Sequence, residues 1–516
     1  MICDIEQLEA DRLNADVCIV GAGAAGLTIA TELDGCSLQV VVLEAGRAHV
    51  DASVQELNES EVVGLPHGGV HGYRPRALGG STIAWAGQVL PLFDIDFEQR
   101  EWIPESGWPI TRDDLEPAYD RVAARLGVPP FPRRTDAWPA ALPDPPAFDR
   151  SRLEPYFSAF SPAPNFARTL GAPLRGSRDV TIVVGCVVTE LGADRARRSI
   201  DSVCARSLAG KRIDVAARYV VLCGGGFENA RLVLASDVGN DNDLVGRYFH
   251  DHPGVVVGPL RVTDRRRVST LAPRRAGTVK LAPRFRLSDR LQRDERRAHV
   301  GGGVVFDLTQ PQSLRAGKLL LRALREPHLR GKAPAAARDV LRDPLPLMRA
   351  AGRVARGSAA LDTRVRPLVA VGGEQRPNAD SRVVLTNRRD ATGVPRLALD
   401  WRITPEDLAD YRRAAEIVAT ELERAGVGSV DLETADLPEE PSAAAGRLID
   451  SGHHMGTTRM SETAAAGVVD RDCKVHGVEN LYVASCSVFP TGGIANPTFT
   501  MLALCLRVAE TIRARV

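Results

Sequence analysis

Ten residues near the amino terminus, VCIVGAGAAG from Val17 to Gly26, constrain the fold of this chain more than any other stretch. Asp16 to Val20 form a short apolar run of β-branched character, Gly21, Gly23 and Gly26 follow in GxGxxG spacing, and LTIATEL continues with helical character. Strand, tight turn and helix in that order make a dinucleotide-binding unit. Gly21 permits the turn, Gly23 lets the backbone approach a pyrophosphate, and Gly26 allows the helix to lie close on the strand. The free N–H groups and positive dipole at the helix start then face the phosphates. A second strand, LQVVVLEAG, ends in Glu44. A carboxylate there, about twenty residues past the glycines, accepts hydrogen bonds from an adenosine ribose and repels a 2′-phosphate, so NADP is disfavoured.

Three further segments bear on which dinucleotide is held. In RALGGSTIAW, Gly79 and Gly80 precede Ser81 and Thr82, a pattern that brings backbone N–H groups and short hydroxyl donors against a phosphate or a flavin edge. RYVVLCGGGFENARLVLAS reads as a buried strand, a turn at Gly224 to Gly226, and a helix carrying Glu228, Asn229 and Arg231. NLYVASCSVFP reads as another buried strand, ending at Ser485 and Ser487.

With these segments, the DHP at Asp251 to Pro253, HHMGTTRM and NPTFT in this order, the chain resembles the glucose-methanol-choline (GMC) flavin oxidoreductases over essentially its whole length. PESGWPI, PNADSRVVL and HHMGTTRM are similar to the branch that holds pyranose oxidase and the sugar and polyol dehydrogenases. The resemblance implies an α/β chain: a Rossmann-like FAD-binding domain (1–90, 176–255 and 450–516) interleaved with a substrate domain (91–175 and 256–449) built on an antiparallel sheet with covering helices. Gly-rich strand and turn signals concentrate in those same three FAD segments. Val188, in GCVVTEL, resembles the strand valine whose backbone meets the adenine, with an ordinary buried strand residue as the alternative. Ser485 stands where the family often has an acid, which weakens a side-chain contact there. Relatives that bind flavin covalently have a histidine before the Trp of the glycine-rich segment, whereas this chain has Ala84 before Trp85; the implied cofactor is noncovalent FAD.

Oxidising an alcohol by hydride transfer needs a base at the hydroxyl and an acceptor, here flavin N5, facing the C–H bond. Histidine suits the base because its unperturbed pKa of about 6.5 leaves it largely neutral near pH 7. His453 matches the family's catalytic histidine and Asn496 the second catalytic position, which is His or Asn. An Asn amide donates to the substrate oxygen but is no base, so the proton falls to His453. His454 is read as facing into packing, and His250, His252 and His476 as satisfying local backbone groups. Pro497 suits a helix start and disfavours helix at Asn496; the helix beyond it would aim its N-terminus at the flavin pyrimidine, making Pro497 and Thr498 candidate cofactor contacts, with an ordinary N-cap and Pro start as the alternative. Thr111, in PESGWPITRDDLEPAYDRVAARLGV, is read as the N-cap of a helix that roofs the site. Glu374, Gln375 and the five Trp are candidate substrate contacts, with surface exposure or packing as their alternatives.

The remaining properties set bounds. A net charge of +1 gives no field to steer nucleic acid, and 44% apolar residues with a mean hydropathy of -0.12 fit a globular protein. The amino terminus lacks a signal-peptide pattern and the nine Cys form no CxxC pair, so a cytoplasmic protein with reduced thiols and no metal centre is expected. Residues 313–356 carry nine Arg and two Lys against three acids. Pro327, Pro334, Pro344 and Pro346 deny this insert one long amphipathic face, so it reads as a solvated helical cover and membrane contact is not expected; docking to an anionic membrane or a partner is the alternative. The implied function is oxidation of an alcohol on a sugar, glycoside, cyclitol or similar polyol, with electrons passed to O2 or another acceptor. Two alternatives are a lyase of the same fold with a redox-silent flavin, and a flavoprotein acting as an interaction module through its basic insert.

Overall fold

The computed structural model describes residues 1–133, 138–306, 310–325, 331–355, 366–432 and 437–516. Short β-branched runs flanked by glycine turns assemble into an eight-stranded sheet. Its order is Ile2–Asp4, Val180–Val184, Val40–Glu44, Arg12–Val20, Arg212–Leu222, Ile200–Arg206 and Val187–Ala193, with Leu481–Val483 also paired to Arg212–Leu222. The first five of these strands and Leu481–Val483 pair in parallel, and the Ile200–Arg206 hairpin arm pairs antiparallel. Val17, Cys18, Ile19, Val40, Val42, Val220, Val221 and Leu481 are almost wholly enclosed. Such double-sided burial is why these strands read as unbroken apolar runs rather than alternating ones.

A second, nine-stranded sheet runs in the order Gly428–Val430, Gly254–Val262, Leu368–Gly373, Val300–Val305, Val279–Leu287, Leu153–Phe160 and Gln88–Val89, with Arg274–Ala276 and Leu448–Ile449 on its flanks. Its pairings are antiparallel. The helix Pro405–Arg424 covers it, started by Thr404, whose hydroxyl accepts from Asp407 N–H while the Asp407 carboxylate accepts from Thr404 N–H. The architecture is therefore an α/β fold, with a Rossmann-like parallel sheet and an antiparallel sheet in the second region.

Two local expectations change. The helix expected from Thr111 begins at Glu116; Thr111 instead donates its N–H to Asp114 Oδ2 at 2.7 Å and closes a turn just ahead of it. Pro117 explains the shift, because its fixed φ and missing N–H favour the first helical turn. The basic insert is broken as its prolines require: Pro344 lies in the gap between the helices Ala333–Arg342 and Leu345–Ala355, and Pro334 and Pro346 lie in their first turns, after the separate helix Gln312–Arg325. Leu321, Leu324, Leu341 and Met348 are exposed beside exposed Arg338, Arg342 and Arg349, so the outer face is mixed apolar and basic rather than purely polar. Residues 326–330 and Arg356, with Pro327 among them, lie outside the described residues. Among the described residues no helix is long and apolar enough to cross a membrane.

Candidate active site

The carboxyl ends of the parallel strands carry the glycine turns, and backbone bonds hold those turns together. Gly21 N–H donates to Leu43 O, Cys223 N–H to Val20 O, Ala484 N–H to Leu222 O, and Gly79 N–H to Ala22 O at 2.9 Å. Gly21 has φ +104, and a Cβ there would lie 2.8 Å from Cys223 O; at Gly26 it would lie 1.9 Å from Gly21 O. Only glycine serves at either place. Gly80, at φ +52, brings its backbone so close to Gly23 that a Cβ would stand 2.9 Å from Gly23 Cα. The turn at Gly23 is thus bare of side chains and opens the helix Ala24–Leu33, the arrangement that accepts a pyrophosphate.

Glu44 is 7% exposed at the end of its strand. Its two oxygens accept from Ala22 N–H and Gly46 N–H, each at 2.8 Å. Burial raises its pKa, opposed by those two N–H groups and by Arg76. Remaining lone pairs on both oxygens are what ribose hydroxyls require. Val188 is half-buried on Val187–Ala193, the last strand in the sheet order, where one backbone edge is not taken by a neighbour in that order. Ser485 is enclosed and its hydroxyl accepts from Ser487 N–H, capping a short 3-10 turn.

The hydroxyls of Ser81 and Thr82 behave differently from the expectation. Ser81 Oγ donates to Tyr73 O at 2.9 Å, and Thr82 Oγ1 donates to Gly79 O while accepting from Phe166 N–H at 3.1 Å. A 3-10 turn over Gly80–Ile83 curls both side chains back onto the protein, so this segment presents backbone. Glu228, in the neighbouring helix Gly225–Ser236, is ringed by Arg74, Arg76 and Arg231, which ties the RALGG segment to that helix.

The reacting end is organised by Asp251. Its Oδ1 accepts from His252 N–H at 2.6 Å and His453 N–H at 2.9 Å. Its Oδ2 accepts from Gly452 N–H at 2.9 Å and Ser451 N–H at 3.1 Å, and lies 3.0 Å from His67 Nε2. Burial pushes the pKa of this carboxyl up, but the His67 hydrogen bond and the His453 ring outweigh that and hold it below the ordinary range. Asp251 is fully enclosed, and one charge thereby fixes the backbone of residues 451–453. His67, Asp251 and Asp450 bring ligand-type atoms within 4.8 Å of one another. The donors already crowding both Asp251 oxygens leave that trio poorly suited to a cation.

His453 is half-buried, and burial moves its pKa down while Asp251 moves it up, with a net lowering. His453 Nδ1 lies 3.0 Å from His252 Nδ1, and His252 Nε2 lies 3.1 Å from Gly492 O. This chain of contacts joins the His453 segment to the loop that carries Asn496. Asn496 is half-buried, and the helix after it spans Thr498–Arg515 with buried Pro497 at its cap and half-buried Thr498 as its first residue. His454 packs its ring 4.3 Å from Phe227 and 6.2 Å from Phe249. Its pKa lies well below the ordinary value because of burial. Gly226 makes room for it, since a Cβ there would meet His454 O at 2.4 Å.

Other readings divide cleanly. His250 Nδ1 lies 2.9 Å from Tyr248 O and His476 Nε2 3.3 Å from Ser461 O, both local backbone partners. His252 was expected to be of that kind, yet its second nitrogen meets His453. Glu374 is neither at the surface nor free for substrate: Arg100 binds it through two bonds of 2.7 and 2.6 Å and His299 N–H donates to it. Gln375 accepts from Trp401 Nε1 and donates to Arg402 O. Trp85, Trp102, Trp108 and Trp138 also give their indole N–H to internal acceptors; Trp108 and Trp401 are enclosed and packed, while Trp85, Trp102 and Trp138 are half-buried. Asp251 and His252 are the functional candidates that sequence reasoning left out, although their DHP triplet was in view.

Residues 16–354 match the family described as FAD dependent oxidoreductase, and residues 377–505 match the one described as GMC oxidoreductase. Paromamine 6'-oxidase of Streptomyces fradiae is 25% identical over 96% of this chain and 91% of its own length. The fructose dehydrogenase large subunit of Gluconobacter japonicus is 23% identical over 97% of this chain and 98% of its own. Among solved structures, formate oxidase of Aspergillus oryzae superposes with a TM-score of 0.56 at 20% identity, covering 98% of this chain and 99% of that one.

Proposed function

This chain belongs to the GMC family of FAD-dependent oxidoreductases acting on CH–OH donors, and from that premise we propose that it oxidises a primary or secondary alcohol on a sugar, glycoside, cyclitol or similar polyol. The observation that carries the reading is His453, a half-buried residue whose backbone is held by Asp251 and whose Nδ1 faces His252. In this reading His453 takes the hydroxyl proton while the Asn496 amide donates to the same oxygen, and the carbonyl forms as the C–H bond gives up its hydride. Bound FAD supplies the hydride acceptor. Gly23 and Gly80 would offer bare backbone to its phosphates in the turns that Gly21, Gly26 and Gly79 make possible, Glu44 would receive its ribose, and Val188, Ser485, Pro497 and Thr498 would complete the cradle. Ser81 and Thr82 contribute through their backbone turn. Relatives named for paromamine and fructose support a sugar-like substrate.

Anaerobic titration with free sugars, glycosides, cyclitols and aminosugars tests this reading directly. At least one class should bleach the oxidised flavin spectrum, and a spectrum unmoved by the whole panel would sink the proposal.

Two further results are expected. Since His453 acts as its neutral form and burial holds its pKa below the ordinary histidine value, the acid limb of flavin reduction should be centred below about pH 6.5, with a level rate on its alkaline side. The rate should fall as pH drops through the His453 pKa, because protonation removes the base. An acid limb centred above pH 7 in stopped-flow reduction would contradict the assignment. The methyl of Ala84 offers no atom for a flavin bond, so acid precipitation should leave intact yellow FAD in the supernatant. Flavin absorbance that follows the polypeptide would refute noncovalent binding.

A further inference from the structure

We propose that His252 is a positioning residue that fixes the tautomer of His453, through an unbroken line of contacts running Gly492 O, His252 Nε2, His252 Nδ1, His453 Nδ1. The proposal rests on the reading of His453 as the base. A carbonyl oxygen only accepts, so at 3.1 Å from Gly492 O the His252 Nε2 must carry the hydrogen. A neutral imidazole has one N–H, which leaves His252 Nδ1 with a lone pair. That lone pair sits 3.0 Å from His453 Nδ1, a separation that requires one hydrogen between the two nitrogens. His453 must supply it. The remaining nitrogen of His453, Nε2, is then unprotonated and is the atom able to receive a hydroxyl proton.

The competing arrangement, a doubly protonated His252 donating to His453, is disfavoured by its surroundings. His252 is 7% exposed, and burial together with the neighbouring His453 lowers its pKa to about 4, against the opposing pull of Asp251 and Glu374. His250 is enclosed nearby and is also lowered to about 4, chiefly by burial. His252 is therefore neutral across the range in which His453 works.

The geometry is held from two sides. Asp251 Oδ1 receives the backbone N–H of both His252 and His453, so one oxygen clamps the two main chains. The ring centroids are 5.1 Å apart and the planes cross at 81°, and a twist about the line between the nitrogens leaves an in-plane N–H free to point at an in-plane lone pair. Gly492 is held close as well, since a Cβ on it would lie 2.9 Å from His252 Nε2. The line also has a dead end. After His453 gains a proton at Nε2, His252 can keep accepting from Nδ1–H but cannot pass a proton onward, because its other nitrogen already points its N–H at a carbonyl. The proton stays on His453 and leaves only by the face through which it arrived.

The test uses FAD-loaded enzyme with ¹⁵N-histidine, the His453 signals identified by their loss in His453→Gln. Near neutral pH the His453 pattern should be that of the Nδ1–H tautomer, and a wild-type pattern of Nε2–H would overturn the proposal without any substrate being needed. In His252→Leu the tautomer should shift and flavin reduction at saturating substrate should slow by about tenfold to a hundredfold, the usual scale for a residue acting through another, with KM moving less. His252→Asn, whose amide oxygen can accept from Nδ1–H, should recover most of that rate. Reduction by His252→Leu at the wild-type rate would overturn the proposal. Should His252→Leu lose its flavin, the wild-type tautomer and the Asn variant decide. If no alcohol reduces the wild-type flavin, the proposed function fails, while the tautomer measurement still decides this inference separately.

Discussion

Replacing His453 with alanine is expected to slow anaerobic flavin reduction by about 10²–10⁴-fold, the range assigned to a well-placed general base, while FAD remains bound. The separation of the two effects follows from where the residue sits. His453 belongs to the segment 451–453 fastened to Asp251, whereas the glycine turns and Glu44 that make the cofactor cradle lie on other strands. Its backbone N–H survives the substitution and keeps its bond to Asp251. Stopped-flow absorbance with a substrate that bleaches the native flavin gives the number, and a variant within tenfold of the native rate would remove His453 from the role of base. A His454→Ala comparison sharpens the result: that ring is packed on Phe227, so its loss should lower stability more than it lowers the reduction rate.

Replacing Asp251 with alanine should be the most damaging single change for stability. The carboxylate accepts from the N–H groups of Ser451, Gly452, His453 and His252 and faces His67. The His252 N–H is enclosed, whereas those of Ser451, Gly452 and His453 lie on exposed or half-buried residues that water can reach, so the variant should lose on the order of 3–5 kcal/mol, the scale for removing one partner from a buried charged contact, and release the segment that presents His453. The denaturant midpoint followed by protein fluorescence, with flavin reduction measured beside it, checks both consequences. Asp251→Asn keeps the shape and one accepting oxygen but turns an N–H toward donors, so it should fall between the two. A midpoint for Asp251→Ala unchanged from the native protein would show that the 451–453 segment is held by something else.

The cofactor region was legible in the sequence because its requirements are local. Gly21 needs φ +104 and Gly26 lacks space for a Cβ against Gly21 O, and a short strand–turn–helix pattern announces both. Glu44 follows from the same unit, since its strand is the next one in the parallel sheet. Thr82 marks a limit of such reading: two glycines and two hydroxyls suggested outward donors, yet the 3-10 turn uses the Thr82 hydroxyl internally. At Thr111 a plausible cap lost to Pro117, which sets the helix start a turn later. Glu374 and Gln375 could not be placed at all from sequence, because their partners Arg100 and Trp401 are remote in the chain or tied to another strand.

Sequence alone determined the parallel-sheet unit with its bare glycine turn, the identity of the cofactor class through the full set of motifs, and His453 as the base candidate, because strand period, turn conformation and motif order are written in neighbouring residues. Only the tertiary structure decided what surrounds that histidine. A hydrogen bond between rings 201 residues apart and a carboxylate shared by two segments have no local signature: each imidazole is chemically ambiguous until its partner is known, and the partner is supplied by the packing of the antiparallel sheet against the C-terminal loops.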